Sequence, residues 1–360
     1  MKNPSGICYL RGVRLKMPHG GDPIDDDCES LEHIIHNALS GTLSSRKILS
    51  HRANQNLNDL IDKEFLKIFE GFTSQLAFDR ERPGASTAKG LHGDHLVDVI
   101  FKNDRFFPRK PYFDKVKRVI YANSINNGQN YKQHLLKTNV IAEEEAEDVV
   151  IYDDMAGKVT LPFGFDNRIF KQGFAKIAAG FAALNGVSRD NLKSVIDAEK
   201  ESFRDKILLF PSLPVNSIEF KFEVSAFKSA SYPVHALVLV GSRKERLLYC
   251  HVDLFSTFQW YVLLDDNYGG EDIDQSYICR LSDGSEIDFA AYFQGVLEGS
   301  ESEELSRKYK RISYVKMFEL FKKGAGDVLK NYNHLKFNSL SAFANYRLLL
   351  RKSNSLWGEK

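Results

Sequence analysis

Between Leu31 and Asp62 the chain reads LEHIIHNALSGTLSSRKILSHRANQNLNDLID. Glu32 and His33 stand side by side, and Asn54 and Asn58 follow at i and i+4, a spacing that puts both amides on one helix face. An imidazole titrates near neutrality and can take a proton from water. Glu32 and the amide oxygens of Asn54 and Asn58 are hard oxygen donors that suit Mg²⁺ or Mn²⁺. Brought together, these residues would form a one-metal hydrolytic site. The metal would polarise a phosphoryl oxygen and steady the leaving oxyanion, while His33 deprotonated a water nucleophile. The bland alternative is a chance Glu-His dipeptide and two asparagines that only cap a helix.

Such a site requires a short hairpin folded against a helix. Leu31 to Ile35 is a first apolar segment, Ser40-Gly41 a turn signal, and Lys47-Ile48-Leu49 a second apolar piece. Leu57, Leu60, Ile61, Phe65, Ile68 and Phe69 then recur at helical spacing. The turn-rich His19 to Pro23 and the acidic run Asp25 to Glu29 precede the hairpin, and Arg80-Glu81-Arg82-Pro83-Gly84 closes the unit.

The stretch resembles the HNH endonuclease family, in the branch whose first motif reads Glu-His-Ile-Ile, then Asn-Ala-Leu-Gly-Gly. Here that motif is Glu32-His33-Ile34-Ile35-His36-Asn37-Ala38-Leu39-Ser40-Gly41. The second is Ile48-Leu49-Ser50-His51-Arg52-Ala53-Asn54, followed by the helix with Ile61-Asp62. The likeness runs about fifty residues, through Asp79-Arg80, with looser similarity around Lys176-Ile177-Ala178 and the His235 strand. The resemblance implies a ββα-metal module and metal-dependent phosphodiester cleavage. It matches His33 to the general base, Asn54 to the metal-side residue and Glu32 to the acidic neighbour that helps hold the metal. Asn58 stands where the branch usually has Gly. The family's middle Asn has no clear match, with Ser45 or Lys47 falling near it.

The family's structural zinc normally uses two Cys-x-x-Cys pairs. Here Cys8 matches the first cysteine, Arg11 replaces the second, and Ser50 and Ala53 occupy the other pair. Those replacements supply no thiolate, so no structural zinc is expected. A small unit without that staple must find stability elsewhere, and packing of the Leu57 to Phe69 helix on the rest of the chain is the expected substitute.

Arg105, Arg109, Lys110, Lys117 and Arg118, with Lys102 and Lys115, interleave with Phe106, Phe107, Tyr112 and Phe113. Basic residues among aromatics suit phosphate contact and base stacking, and a charged sheet edge explains them equally well. Arg307, Lys308, Lys310 and Arg311 form a second basic cluster. His92-Gly93-Asp94-His95 with Asp98 has a metal-like composition but reads better as a polar strand end. The acidic run Glu143 to Asp148 reads as a solvated face.

Lys and Arg number 49 against 48 Asp and Glu, a formal net charge of +1, which excludes a strongly basic, histone-like binder. Apolar residues at 43% allow a core over 360 residues. No apolar run reaches membrane-spanning length and no secretory leader is read at the start, so a cytoplasmic protein with no membrane partner is expected. Leu96 to Phe101 and Val116 to Tyr121 suggest strands, Tyr131 to Lys137 a helix, and Asp166 to Arg204 a helical pair led by the stripe Phe170, Phe174, Ile177, Ala178 and Phe181. Ser217 to Val224, His235 to Val240, Leu247 to Leu254 and Phe258 to Leu264 suggest an antiparallel sheet, with helices after Leu305. The expected class is α+β: an HNH-like module over 1–85, a mixed α/β region over 86–210, and an antiparallel sheet with C-terminal helices over 211–360. The leading functional expectation is a metal-dependent DNA endonuclease. The rival is a non-catalytic nucleic-acid-binding or regulatory protein on a degenerate module, and a third is an effector whose sheet senses a ligand.

Overall fold

The computed structural model describes residues 6–17, 25–76, 87–102, 105–155, 158–161, 166–211, 231, 233–256, 258–288 and 291–292. The His19 to Pro23 and Arg80 to Gly84 turns, the Ser217 to Val224 strand, the Arg307 to Arg311 cluster and the tail after Leu305 lie outside them. The class is α+β. Where the sequence suggests boundaries near 85 and 210, compactness divides the chain into two units: Met1–Phe65 with Phe165–Lys360, and Leu66–Gly164.

The first unit opens with the hairpin. β1 (Glu32–His33) pairs antiparallel with β2 (Ser44–Ser45), so Glu32 faces Ser45 and His33 faces Ser44. Between them Gly41 passes the backbone so closely that an added Cβ would lie 2.0 Å from the Ile35 carbonyl oxygen. Only glycine fits that turn. α1 (His51–Leu57) follows, capped by Ser50, whose hydroxyl accepts from the Ala53 N–H. The helix continues through a π-turn, Asn58–Asp62, into α2 (Lys63–Leu76), whose residues from Leu66 onward are counted with the second unit. Leu57, Ile61, Phe65, Ile68 and Phe69 are buried as the spacing predicts, but Leu60 is 66% exposed.

The described residues of the second unit form two sheets. β3 (Thr87–His92), β4 (His95–Lys102), β5 (Arg105–Pro108) and a later β9 (Val159–Thr160) run in the order β5-β4-β3-β9. β6 (Tyr112–Asp114) pairs antiparallel with β7 (Val119–Tyr121). α3 (Ile125–Lys137) crosses over to β8 (Val150–Tyr152), which lies parallel to β7.

The chain then returns to the first unit with α4 (Asn167–Leu184). Asp166 caps it, accepting from the Ile169 N–H at 2.9 Å, and Asn185 ends it before Gly186 at φ 82°. The second helix of the expected pair is absent. A 3₁₀ turn (Arg189–Asn191) and the hairpin of β10 (Ile196–Asp197) and β11 (Ser202–Phe203) take its place. β12 (Leu209–Pro211), β13 (Val234–Ser242), β14 (Leu247–Leu254), β15 (Phe258–Asp265) and β16 (Ile273–Arg280) form an antiparallel sheet in the order β12-β15-β14-β13-β16.

The core lies between α4 and this sheet. Trp260 meets the rings of Phe170 and Phe174, and Phe174 meets Phe65 edge-on at 5.7 Å. Each such ring, fully buried, contributes about 1.5–3 kcal/mol. Gly173 lets α4 approach that closely, because a Cβ there would lie 2.1 Å from the Phe65 ring. On the opposite sheet face Tyr249, Tyr261, Val238, Leu247 and Leu263 form a second buried cluster. No helix of the described residues is long and apolar enough to cross a membrane.

Candidate functional site

A two-residue strand separates neighbours that the sequence puts together. Successive strand residues point to opposite sides, so Glu32 turns inward at 3% exposure and His33 stays half-buried. Inside, the Glu32 carboxylate meets the Lys176 ammonium of α4 at 3.0 Å, and the same ammonium donates to Asp62 Oδ2 at 2.6 Å. His36 Nε2 lies 3.1 Å from Asp62 Oδ1, near enough for an ion pair but out of line for a hydrogen bond. The Tyr9 hydroxyl is enclosed without a hydrogen-bond partner among the described residues.

Electrostatics hold Asp62 and Lys176 in their charged forms. Burial opposes the Asp62 charge, but His36 and Lys176 outweigh it and keep the carboxyl below its ordinary range. Burial likewise opposes the Lys176 charge, and Glu32 and Asp62 outweigh it, so the ammonium is held above the usual lysine range. Tyr9 is pushed well up by burial and then by the negative charge of Glu32.

Asn54 is turned the other way. Its Nδ2 donates to Ser30 Oγ at 2.8 Å and to the Leu31 carbonyl at 3.1 Å, tying α1 to the residues just before β1. A carbonyl only accepts, so the amide orientation is fixed by chemistry and Oδ1 is left without an intramolecular partner among the described residues. His33 Nδ1 is enclosed with no hydrogen-bond partner among the described residues. Asn58, at the start of the π-turn, is exposed and donates to Asp59 at 3.3 Å. The helix start therefore reaches the residues just before β1, but Glu32 is drawn off to Lys176 and Asn58 to Asp59.

The donor set does not fit a divalent cation. One neutral amide oxygen remains at Asn54, and the single carboxylate expected there is already bound to an ammonium. Among the described residues no group of three or more His, Cys, Asp or Glu is placed to hold a metal.

The positions that the resemblance assigns to zinc do converge. The Arg11 N–H faces Cys8 Sγ at 3.4 Å, and its guanidinium donates to Ser50 Oγ at 3.4 Å, Asp27 Oδ1 at 2.7 Å and Glu201 Oε2 at 3.2 Å. A guanidinium with two carboxylates thus ties the Cys8 turn, the start of α1 and the Glu201 loop. His235 of β13 is a second tie. Its Nε2 donates to the Leu39 carbonyl at 2.7 Å and its Nδ1 accepts from the Phe255 N–H at 3.2 Å, a pair that only the neutral ring can make. Burial holds its pKa down to about 4.

Sequence reasoning missed Lys176 as a site residue. The available signal was a lone lysine inside the apolar run Phe174-Ala175-Lys176-Ile177-Ala178. Of the basic residues expected to bind nucleic acid, all in the other unit, Arg105 pairs with Asp154 at 3.2 Å and Lys117 with Asp114 at 3.6 Å. Arg118 pairs with Glu145 at 2.7 Å and Asp148 at 3.3 Å, so the acidic run is partly a counter-charge. Arg109 and Lys110 are exposed with no ion-pair partner among the described residues. His92 is buried, with Nδ1 against the Tyr112 hydroxyl, and Asp98 pairs with Lys89. Comparison of the chain with protein-family models, curated proteins and solved structures finds no match.

Proposed function

We propose that the chain is a nucleic-acid-binding or regulatory protein built on an HNH-like module that has given up metal-dependent cleavage. One observation carries this reading: Glu32, the acidic residue of the first motif, is bound to Lys176 in the interior and offers no charge to a cation. Of the basic residues expected to bind nucleic acid, Arg109 and Lys110 are exposed without an ion-pair partner among the described residues and are offered for phosphate contact. The test pairs a plasmid-nicking time course in Mg²⁺ and Mn²⁺ with gel-shift titrations on DNA. Binding without nicking above buffer is expected, and Arg109→Ala/Lys110→Ala should weaken binding and flatten its salt dependence. Nicking by the pure protein would overturn the reading.

A second reading has its own observation. The unpartnered Asn54 Oδ1 and His33 Nδ1 favour a residual DNA endonuclease with His33 as general base. On that reading His33→Ala cuts nicking at least ~100-fold and leaves DNA affinity and melting temperature nearly unchanged.

A further inference from the structure

We infer that the Lys176 ammonium is this chain's own cation in a cage of Glu32 and Asp62, holding the carboxylate of the first motif in the interior and away from Asn54. The inference rests on the reading of the module as free of metal chemistry and says what holds the Glu32 carboxylate instead. Three separate segments deliver the cage: Glu32 from β1, Asp62 from the end of the π-turn, and Lys176 from the middle of α4. From one Nζ, the 2.6 Å contact to Asp62 is a charge-assisted hydrogen bond and the 3.0 Å contact to Glu32 an ion pair. All three side chains are nearly fully enclosed, at 2% exposure for Lys176, 4% for Glu32 and 6% for Asp62.

Two further polar groups belong to the same enclosure. The buried Tyr9 hydroxyl has no hydrogen-bond partner among the described residues and feels the charge of both Glu32 and Asp62. His36 approaches the second oxygen of Asp62. Two carboxylates against one ammonium leave a negative excess that His36 offsets only when protonated. A dication in the ammonium's place would balance the pair outright. Buried ion pairs gain little over apolar packing, so a lysine enclosed in α4 points to a need to neutralise the carboxylates.

The test uses the full chain and Mn²⁺, followed by the electron paramagnetic resonance of free Mn²⁺ and by thermal melts. Wild type should bind no Mn²⁺ through Glu32 and melt alike with Mn²⁺ or chelator. Lys176→Ala should melt lower, and Mn²⁺ at about a hundredfold excess over its dissociation constant should raise that melting temperature by ~5 °C. Glu32→Gln/Lys176→Ala should lose the Mn²⁺ response. If Lys176→Ala folds only with Mn²⁺, the inference is supported. If it ignores Mn²⁺, or stays unfolded in Mn²⁺ while the uncharged Glu32→Gln/Lys176→Met folds, the inference is wrong. Mn²⁺ binding by wild type that Glu32→Gln abolishes also overturns it. Nicking by wild type without such binding sinks the proposed function alone, whereas such binding without nicking sinks this inference alone.

Discussion

Acid should loosen the first unit at His235 before it reaches the carboxylates. The imidazole is fully enclosed between an acceptor, the Leu39 carbonyl, and a donor, the Phe255 N–H. A second ring proton would point at that N–H, so the folded state holds the ring neutral down to about pH 4 against an ordinary value of 6.5. The unfolded chain takes up a proton as pH falls through 6.5, and the folded chain does so only near 4. Stability contributed here is therefore whole above 6.5, falls by ~1.4 kcal/mol per pH unit below it, and levels off near 4 with a total loss of ~3 kcal/mol. Asp62 stays out of this window: its folded value lies below the ordinary 3.8, so its contribution is lost only at lower pH. Urea melts of wild type and His235→Leu across the window isolate the ring. At neutral pH the variant should be weaker by about 1–3 kcal/mol for each backbone group left unpaired. Its curve should then run flatter with acid, meeting wild type near pH 4. Parallel curves for the two proteins would refute the assignment of a neutral, doubly bonded His235.

Arg11→Ala should destabilise the chain by ~2–3 kcal/mol in a urea melt, because Glu201 and Asp27 lose the guanidinium and Asp27 keeps only the longer Lys16 contact. Arg11→Cys/Ser50→Cys/Ala53→Cys, which joins three thiols to Cys8, should hold zinc by elemental analysis where wild type holds none. Gly173→Ala should lower stability by ~1–3 kcal/mol despite alanine's better helix propensity, since the new methyl strikes the Phe65 ring. Asn54→Ala should lose about 1 kcal/mol from its tie to Ser30 and Leu31, read by thermal melt.

Long periodic segments were legible. The stripe from Phe170 to Phe181 became α4, capped by Asp166 and ended at Asn185-Gly186, because one apolar face and two cap residues agree locally. The β13 to β15 runs were legible because strands buried on both faces read as near-continuous apolar segments. The Asp166 to Arg204 pair failed in its second half, where Arg189 to Phe203 has no stripe of its own and takes its shape from contacts. Leu60 was misread because a π-turn shifts the side-chain register by a residue, and spacing alone does not reveal one. At the candidate site the motif residues were identifiable, but not their facing. Two residues of strand are too few to show which of Glu32 and His33 turns inward, and the answer comes from Lys176, more than a hundred positions away in the chain.

The order of segments has a consequence for synthesis. The first unit is interrupted by Leu66–Gly164, so its opening residues leave the ribosome long before α4 exists. At 5–20 residues per second the ~100 intervening residues delay it by ~5–20 s. Throughout that interval Glu32 and Asp62 lack Lys176, Leu39 lacks His235, and Phe65 lacks the groove at Gly173. The nascent hairpin and helix are then exposed and sticky, while the interrupting unit can fold at once from its own contiguous sequence. Chaperone dependence during translation should accordingly track residues 1–65, and slowing synthesis within the interruption should lower the yield of folded chain.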